Sequence, residues 1–169
     1  MSTNESETPL RSGNREVDAV QRFFQRPLFL SLTIGIPFCI FKLIFGLTAI
    51  RIGTGSSLLL EDFGWLIICW ASVDLLMNLG RETFDLLGRP APFEYCTIAQ
   101  VGRFFNKPMA FLAIDTLLAF VIICTMLWSG WIATLSTTEL HLWYAATTMN
   151  LISLSLVILY NEMRNSGEY

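Results

Sequence analysis

The sequence predicts an all-α integral membrane protein: four transmembrane helices arranged as two tandem helical hairpins, each preceded by an amphipathic interfacial helix. Three observations lead there. Of the 169 residues 53% are hydrophobic and 15% charged, with a mean hydropathy of +0.54, too apolar for a water-soluble domain of this size. The apolar residues are gathered into runs long enough to cross a hydrocarbon layer of about 30 Å. A nine-residue phrase also occurs twice, as VQRFFQRPL at residues 20–28 and VGRFFNKPM at residues 101–109. At this offset of 81 a second unit repeats the first, which places both pairs of spans in the same orientation.

The elements follow in order. Residues 1–14 are rich in Ser, Thr, Asn, Glu and Gly and hold too little apolar surface to pack, so they read as a disordered cytoplasmic tail. Residues 15–80 form the first unit. Val17, Val20, Phe23 and Phe24 lie at helical spacing beside Arg15, Arg22 and Arg26, which suits a helix in the headgroup layer, and Pro27 turns the chain into the bilayer. The first span, from Leu28 to Ile52, is apolar except for Lys42, and Pro37 is placed to bend it. Gly35, Lys42, Gly46 and Gly53 share one stripe, along which another helix can approach closely. A small-residue turn at residues 53–57 leads to Glu61 and Asp62, acids of the kind helix N-termini favour, and to a second span from Phe63 to Leu79. Asp74, Asn78, Arg81 and Asp85 make a polar stripe on it that must face protein, because lipid cannot satisfy it.

Residues 81–107 are the longest connection. Arg89, Pro90 and Pro92 divide it, and it ends in the second interfacial helix with its repeated phrase. The second hairpin covers residues 108–162. Its first helix runs from Met109 to Ile132 and carries Asp115 near the cytoplasmic interface, within reach of water. Its second runs from Leu140 to Tyr160 with a polar stripe of Thr147, Asn150, Ser153 and Asn161. Residues 163–169 are a second cytoplasmic tail. Weaker echoes support the duplication: Glu61 and Trp65 open one helix as Glu139 and Trp143 open the other, and Asn78 with Arg81 closes as Asn161 with Arg164 does.

Charge sets the orientation. With four spans, Arg11, Arg15, Arg22, Arg26, Arg81, Arg89, Arg103, Lys107 and Arg164 share one side and Arg51 alone the other, so both termini are expected in the cytoplasm. Trp65, Trp128, Trp131 and Trp143 fall at the opposite helix ends as an aromatic belt. The chain reads as a multi-pass protein of a bacterial inner membrane. In general plan it resembles the small membrane subunit of tripartite transporters that depend on a substrate-binding protein, although here the long connection lies between the second and third spans.

Little of the sequence points to catalysis. The formal net charge of −3 gives no reason to expect a nucleic-acid partner. Cys39, Cys69, Cys96 and Cys124 form no close pair and read as buried free thiols, and His141, the single histidine, sits at an interface. No phosphate loop or nucleophile elbow is present, so no catalytic, cofactor or metal site is assigned; a bound lipid or carotenoid is the occupant a bundle of this kind would accept.

The unusual residues are the intramembrane polar ones: Lys42, Asp74, Asn78, Asp115 and Asn150. An unpaired ammonium in a span costs a few kcal/mol. Counted from Ser57, Lys42 is 15 residues back and Asp74 17 forward, depths that differ by roughly 3 Å at helical rise. An ion pair that registers the first two spans is therefore the first reading. A proton or ion path through Lys42, Asp74 and Asp115 is the sharper one. The interfacial anchors are Arg22, Phe23, Phe24 and Arg26 in the first copy, and Arg103, Phe104, Phe105 and Lys107 in the second; each cation adds about 1 kcal/mol of attraction to an anionic leaflet. The function expected is that of a non-catalytic membrane subunit that scaffolds a larger membrane complex or a homo-oligomer, the alternative being a small oligomeric ion or proton channel or transporter subunit.

Overall fold

In the computed structural model, residues 31–166 are described, and they form helices joined by short connections. A π-type turn at Ser31–Gly35 leads into α1 (Ile36–Gly53). After a tight turn follow α2 (Leu58–Leu86), the short α3 (Thr97–Phe104), α4 (Pro108–Trp128), a 3-10 turn at Trp131–Thr134, and α5 (Thr137–Ser166). No strand occurs among the described residues. Three stretches are long and apolar enough to cross a membrane: Thr33–Gly53, Leu58–Leu86 and Pro108–Trp128. The first interfacial helix, with Arg22, Phe23, Phe24 and Arg26, lies outside the described residues, as do both expected tails except residues 163–166.

The molecule is built around α1. Apolar on every side, a helix of this kind has no face to offer water and belongs in the interior; Phe38, Phe41, Ile44, Phe45 and Ala49 are all buried. Pro37 has no N–H to give an α-helical bond. It lies just past the π-type turn, so the irregular turn falls where an α-helical bond is lacking.

The glycine stripe faces α2. A Cβ on Gly46 would stand 3.0 Å from the Gly64 carbonyl oxygen, and one on Gly53 would stand 2.5 Å from the Glu61 nitrogen. At the far end Gly35 meets the Asn78 amide. These pairings run the two helices antiparallel at backbone contact, a separation that only glycine permits. On the other side, α5 also runs antiparallel to α1. Arg51 reaches Glu139 at 2.6 Å, the rings of Phe41 and Trp143 meet edge to face with centroids 4.8 Å apart, and Thr33 bonds Ser153 at 2.9 Å.

The second half of the chain is packed differently. Helices α4 and α5 lie against α1 and share no extensive interface with each other, whereas α1 and α2 pack along their length. Helix α4 also ends earlier than the expected Ile132. Gly130 adopts a left-handed conformation with φ 72°, which stops the helix and turns the chain into the 3-10 segment. The Trp belt is corrected too. Trp128 is 94% exposed, but Trp143 is 4% exposed in the core, and Trp131 stacks on Phe45 with centroids 5.6 Å apart.

Candidate functional site

Lys42 enters the interior from the middle of α1 with no water to solvate it, so its ammonium needs protein anions. It has two. The Nζ group donates to Asp74 Oδ2 at 2.7 Å and to Asp115 Oδ1 at 2.6 Å. Lys42 and Asp74 are each 1% exposed and Asp115 4%. The expectation that Asp115 sits near the cytoplasmic interface within reach of water is therefore corrected. It begins two turns into α4, but α4 runs beside α1 in the same sense, which brings it level with Lys42. The Trp70 ring closes the remaining side, its centroid 4.1 Å from Nζ.

Asp74 is held from a direction the sequence did not disclose. The backbone N–H and the hydroxyl of Thr97 donate to its Oδ1 at 2.7 and 2.8 Å, and Trp70 Nε1–H donates to Thr97 Oγ1 at 2.7 Å. Thr97 opens α3, so the start of this short helix is pinned against the buried carboxylate. Negative charge is favoured at a helix start, where backbone N–H groups are free. Asn78, one turn beyond Asp74, donates to the Asp74 carbonyl at 3.0 Å and to Cys39 Sγ at 3.8 Å. Trp70 lies one helical turn before Asp74, a spacing visible in the sequence. Thr97 sits beyond an irregular connection, where no periodicity could have placed it.

Beside this cluster is a cavity of about 330 Å³ between α1, α2, α4 and the residues before α3. Ile34, Phe38, Met109 and Leu112 supply much of its apolar wall, and Lys42, Asp74 and Asp115 its charged part. Cys39 and Cys96 also line it. Burial, with the Asp115 charge adding to it, pushes the Cys96 thiol up to about 12, so it is a neutral thiol at physiological pH. The expectation of four buried thiols is corrected: Cys39 and Cys96 are buried, while Cys69 and Cys124 are exposed on outward faces.

The other expected residues are dispersed. Asn150 is half-buried on α5 and does not line the cavity. Arg81 donates to the Phe93 carbonyl at 2.8 Å and stacks on Tyr95, with its guanidinium carbon 3.9 Å from the ring centroid. Asp85 is exposed. Of the second set of anchors, Arg103 bonds the Pro92 carbonyl, Phe104 and Phe105 are 81% and 64% exposed, and Lys107 is exposed.

No protein-family model, no curated protein and no solved structure matches the chain.

Proposed function

We propose that the chain is a non-catalytic integral membrane protein that holds or conducts a cation, the proton included, at Lys42, Asp74 and Asp115. The observation that carries this reading is the second carboxylate. One aspartate suffices to pair a lysine and register two helices, whereas two leave the cluster with a formal charge of −1 beside a cavity. Isolated charge in a bilayer is costly, and ionisable groups kept there mark ion and proton routes.

In this reading α5, at 30 residues, is the fourth crossing. An even number of crossings brings both termini to the cytoplasm, the side on which nine of the ten remaining cations then fall. The second copy of the phrase, which starts in the last turn of α3 and ends in the first turn of α4, lies at that surface as an anchor.

Proteoliposomes containing the full chain test the proposal. Under an imposed membrane potential the wild type is expected to pass protons or monovalent cations above the rate of empty vesicles, and Asp115→Asn to lose at least nine-tenths of that flux. Equal flux in both, or none above empty vesicles, rejects it.

A second reading is favoured by a separate observation. Helices α4 and α5 share no extensive interface, and large apolar side chains on them such as Phe120, Val121, Leu151 and Leu154 are exposed. A scaffold subunit would cover them with a partner helix or a second copy. The α1 to α2 glycine seam lends this reading no support, since it is consumed within the chain. Native mass spectrometry of the protein extracted in mild detergent distinguishes a stoichiometric assembly from a lone chain.

A further inference from the structure

We infer that the cavity beside Lys42 is a binding site for a lipophilic ammonium ion, a protonated amine on a compact apolar body. This deepens the proposed cation-handling role and rests on it for the site, though not for the ligand. Three features determine the ligand class. The first is charge: Asp74 and Asp115 share the single Lys42 ammonium, so the cluster is one positive charge short of neutrality and repels an anion. The second is an available acceptor. Asp115 gives Oδ1 to Lys42, while its Oδ2 accepts no hydrogen bond from an N–H or hydroxyl group among the described residues and is not sealed from the cavity, although the side chain as a whole is only 6% exposed. The Cys96 thiol does hydrogen-bond the Asp115 carboxylate, but a thiol is a weak donor that an ammonium can displace. Asp74 is not the receptor, because Thr97 and Lys42 already occupy both of its oxygens.

The third feature is the wall. A bare metal cation would need about six oxygen ligands to replace its hydration shell; both oxygens of Asp74 are already taken, and beyond Asp115, Asn78, Tyr95 and Thr116 the lining side chains carry no oxygen, Ile34, Phe38, Met109 and Leu112 being apolar. An alkyl or alicyclic ammonium asks for one carboxylate oxygen for its N–H and apolar contact for its body, which is what these residues present. The volume of about 330 Å³ falls at the lower end of the range for small-molecule pockets.

The probe is 1-aminoadamantane, with 1-adamantanol as the uncharged control of nearly the same shape. Both are titrated calorimetrically into the full chain in detergent micelles at pH 7, with empty micelles subtracted. The expected result is saturable binding of the amine at one per chain, at least tenfold tighter than the alcohol, and a loss of at least tenfold in Asp115→Asn. Leu112→Trp fills the cavity while leaving all three members of the ion cluster in the sequence, and is expected to abolish binding while the thermal midpoint is kept. This arm decides the matter should Asp115→Asn fail to fold. Equal affinity for amine and alcohol, no saturable binding by the wild type, or unchanged binding in Leu112→Trp overturns the inference. Proton or cation flux without any amine keeps the two claims apart: flux that depends on Asp115 with no amine binding removes the ligand and leaves the cation role standing, and loss of both removes both.

Discussion

At the scale of the residue, Lys42 organises the interior, and its surroundings determine what its removal does. Three buried charges are tolerable because each has partners: the ammonium has two carboxylates and an indole face, and Asp74 has Thr97 as well. Breaking one member of such a set leaves the others charged in a medium that cannot solvate them. Lys42→Met strands two carboxylates together and is expected to cost about 3–5 kcal/mol of stability, the range for an orphaned buried charge. Neutralising those carboxylates as well removes the cause. The triple variant Lys42→Met, Asp74→Asn, Asp115→Asn should recover most of the loss, as read from unfolding midpoints in one detergent. A triple variant no more stable than Lys42→Met would show that the lysine supports the fold by packing and not by charge. The Lys42 and Asp74 pairing was legible in the sequence from equal depth about a short turn. The level of Asp115 was not legible, because distance from the end of its own helix does not fix how α4 is staggered beside α1.

The helices themselves show which sequence signals survive packing. The spacing of Gly35, Gly46 and Gly53 announced a close approach, and α2 makes it, with Gly64 meeting Gly46 at the crossing. A branched side chain at Gly46 would drive into the Gly64 carbonyl and Ile68. Gly46→Leu is therefore expected to destabilise the protein by about 1–3 kcal/mol, the usual cost of overpacking, or more if the helices separate. The comparison is Leu47→Ala, next along the helix and 45% exposed, which should change the midpoint little. Equal effects at both positions would mean that the seam carries no strain. Periodicity could not have shown that α3 begins against Asp74, because its position depends on the irregular stretch after α2, where the chain changes direction without a repeating pattern. Nor could it show that the second pair of helices would part. The repeated phrase covers only nine residues, whereas packing between helices depends on side chains beyond it, and α4 has no glycine to match Gly46.

Across the whole molecule, α1 is the shared partner, and the contact that closes its far end is an ion pair at the surface. Arg51, in the last turn of α1, reaches Glu139 at 2.6 Å and the Thr134 carbonyl at 3.1 Å, tying the end of α1 to the start of α5. Glu139 also accepts from the Ser136 N–H at 2.7 Å. The Arg51 guanidinium, with that N–H, holds the Glu139 carboxyl below its ordinary value of 4.5. A depressed carboxyl favours the folded state when ionised, so its contribution is complete above 4.5 and is lost as the pH falls through the lower folded value. Arg51 is 46% exposed, so screening keeps this contribution under about 1 kcal/mol. The expected outcome is a small fall in the thermal midpoint of the wild type between pH 5 and pH 3, shrinking in 1 M salt, relative to an Arg51→Gln variant that lacks the pair. If the two proteins lose stability in parallel over that interval at low salt, the Arg51 to Glu139 contact is not what joins α1 to α5, and the join must rest on Phe41 against Trp143 deeper in the bundle.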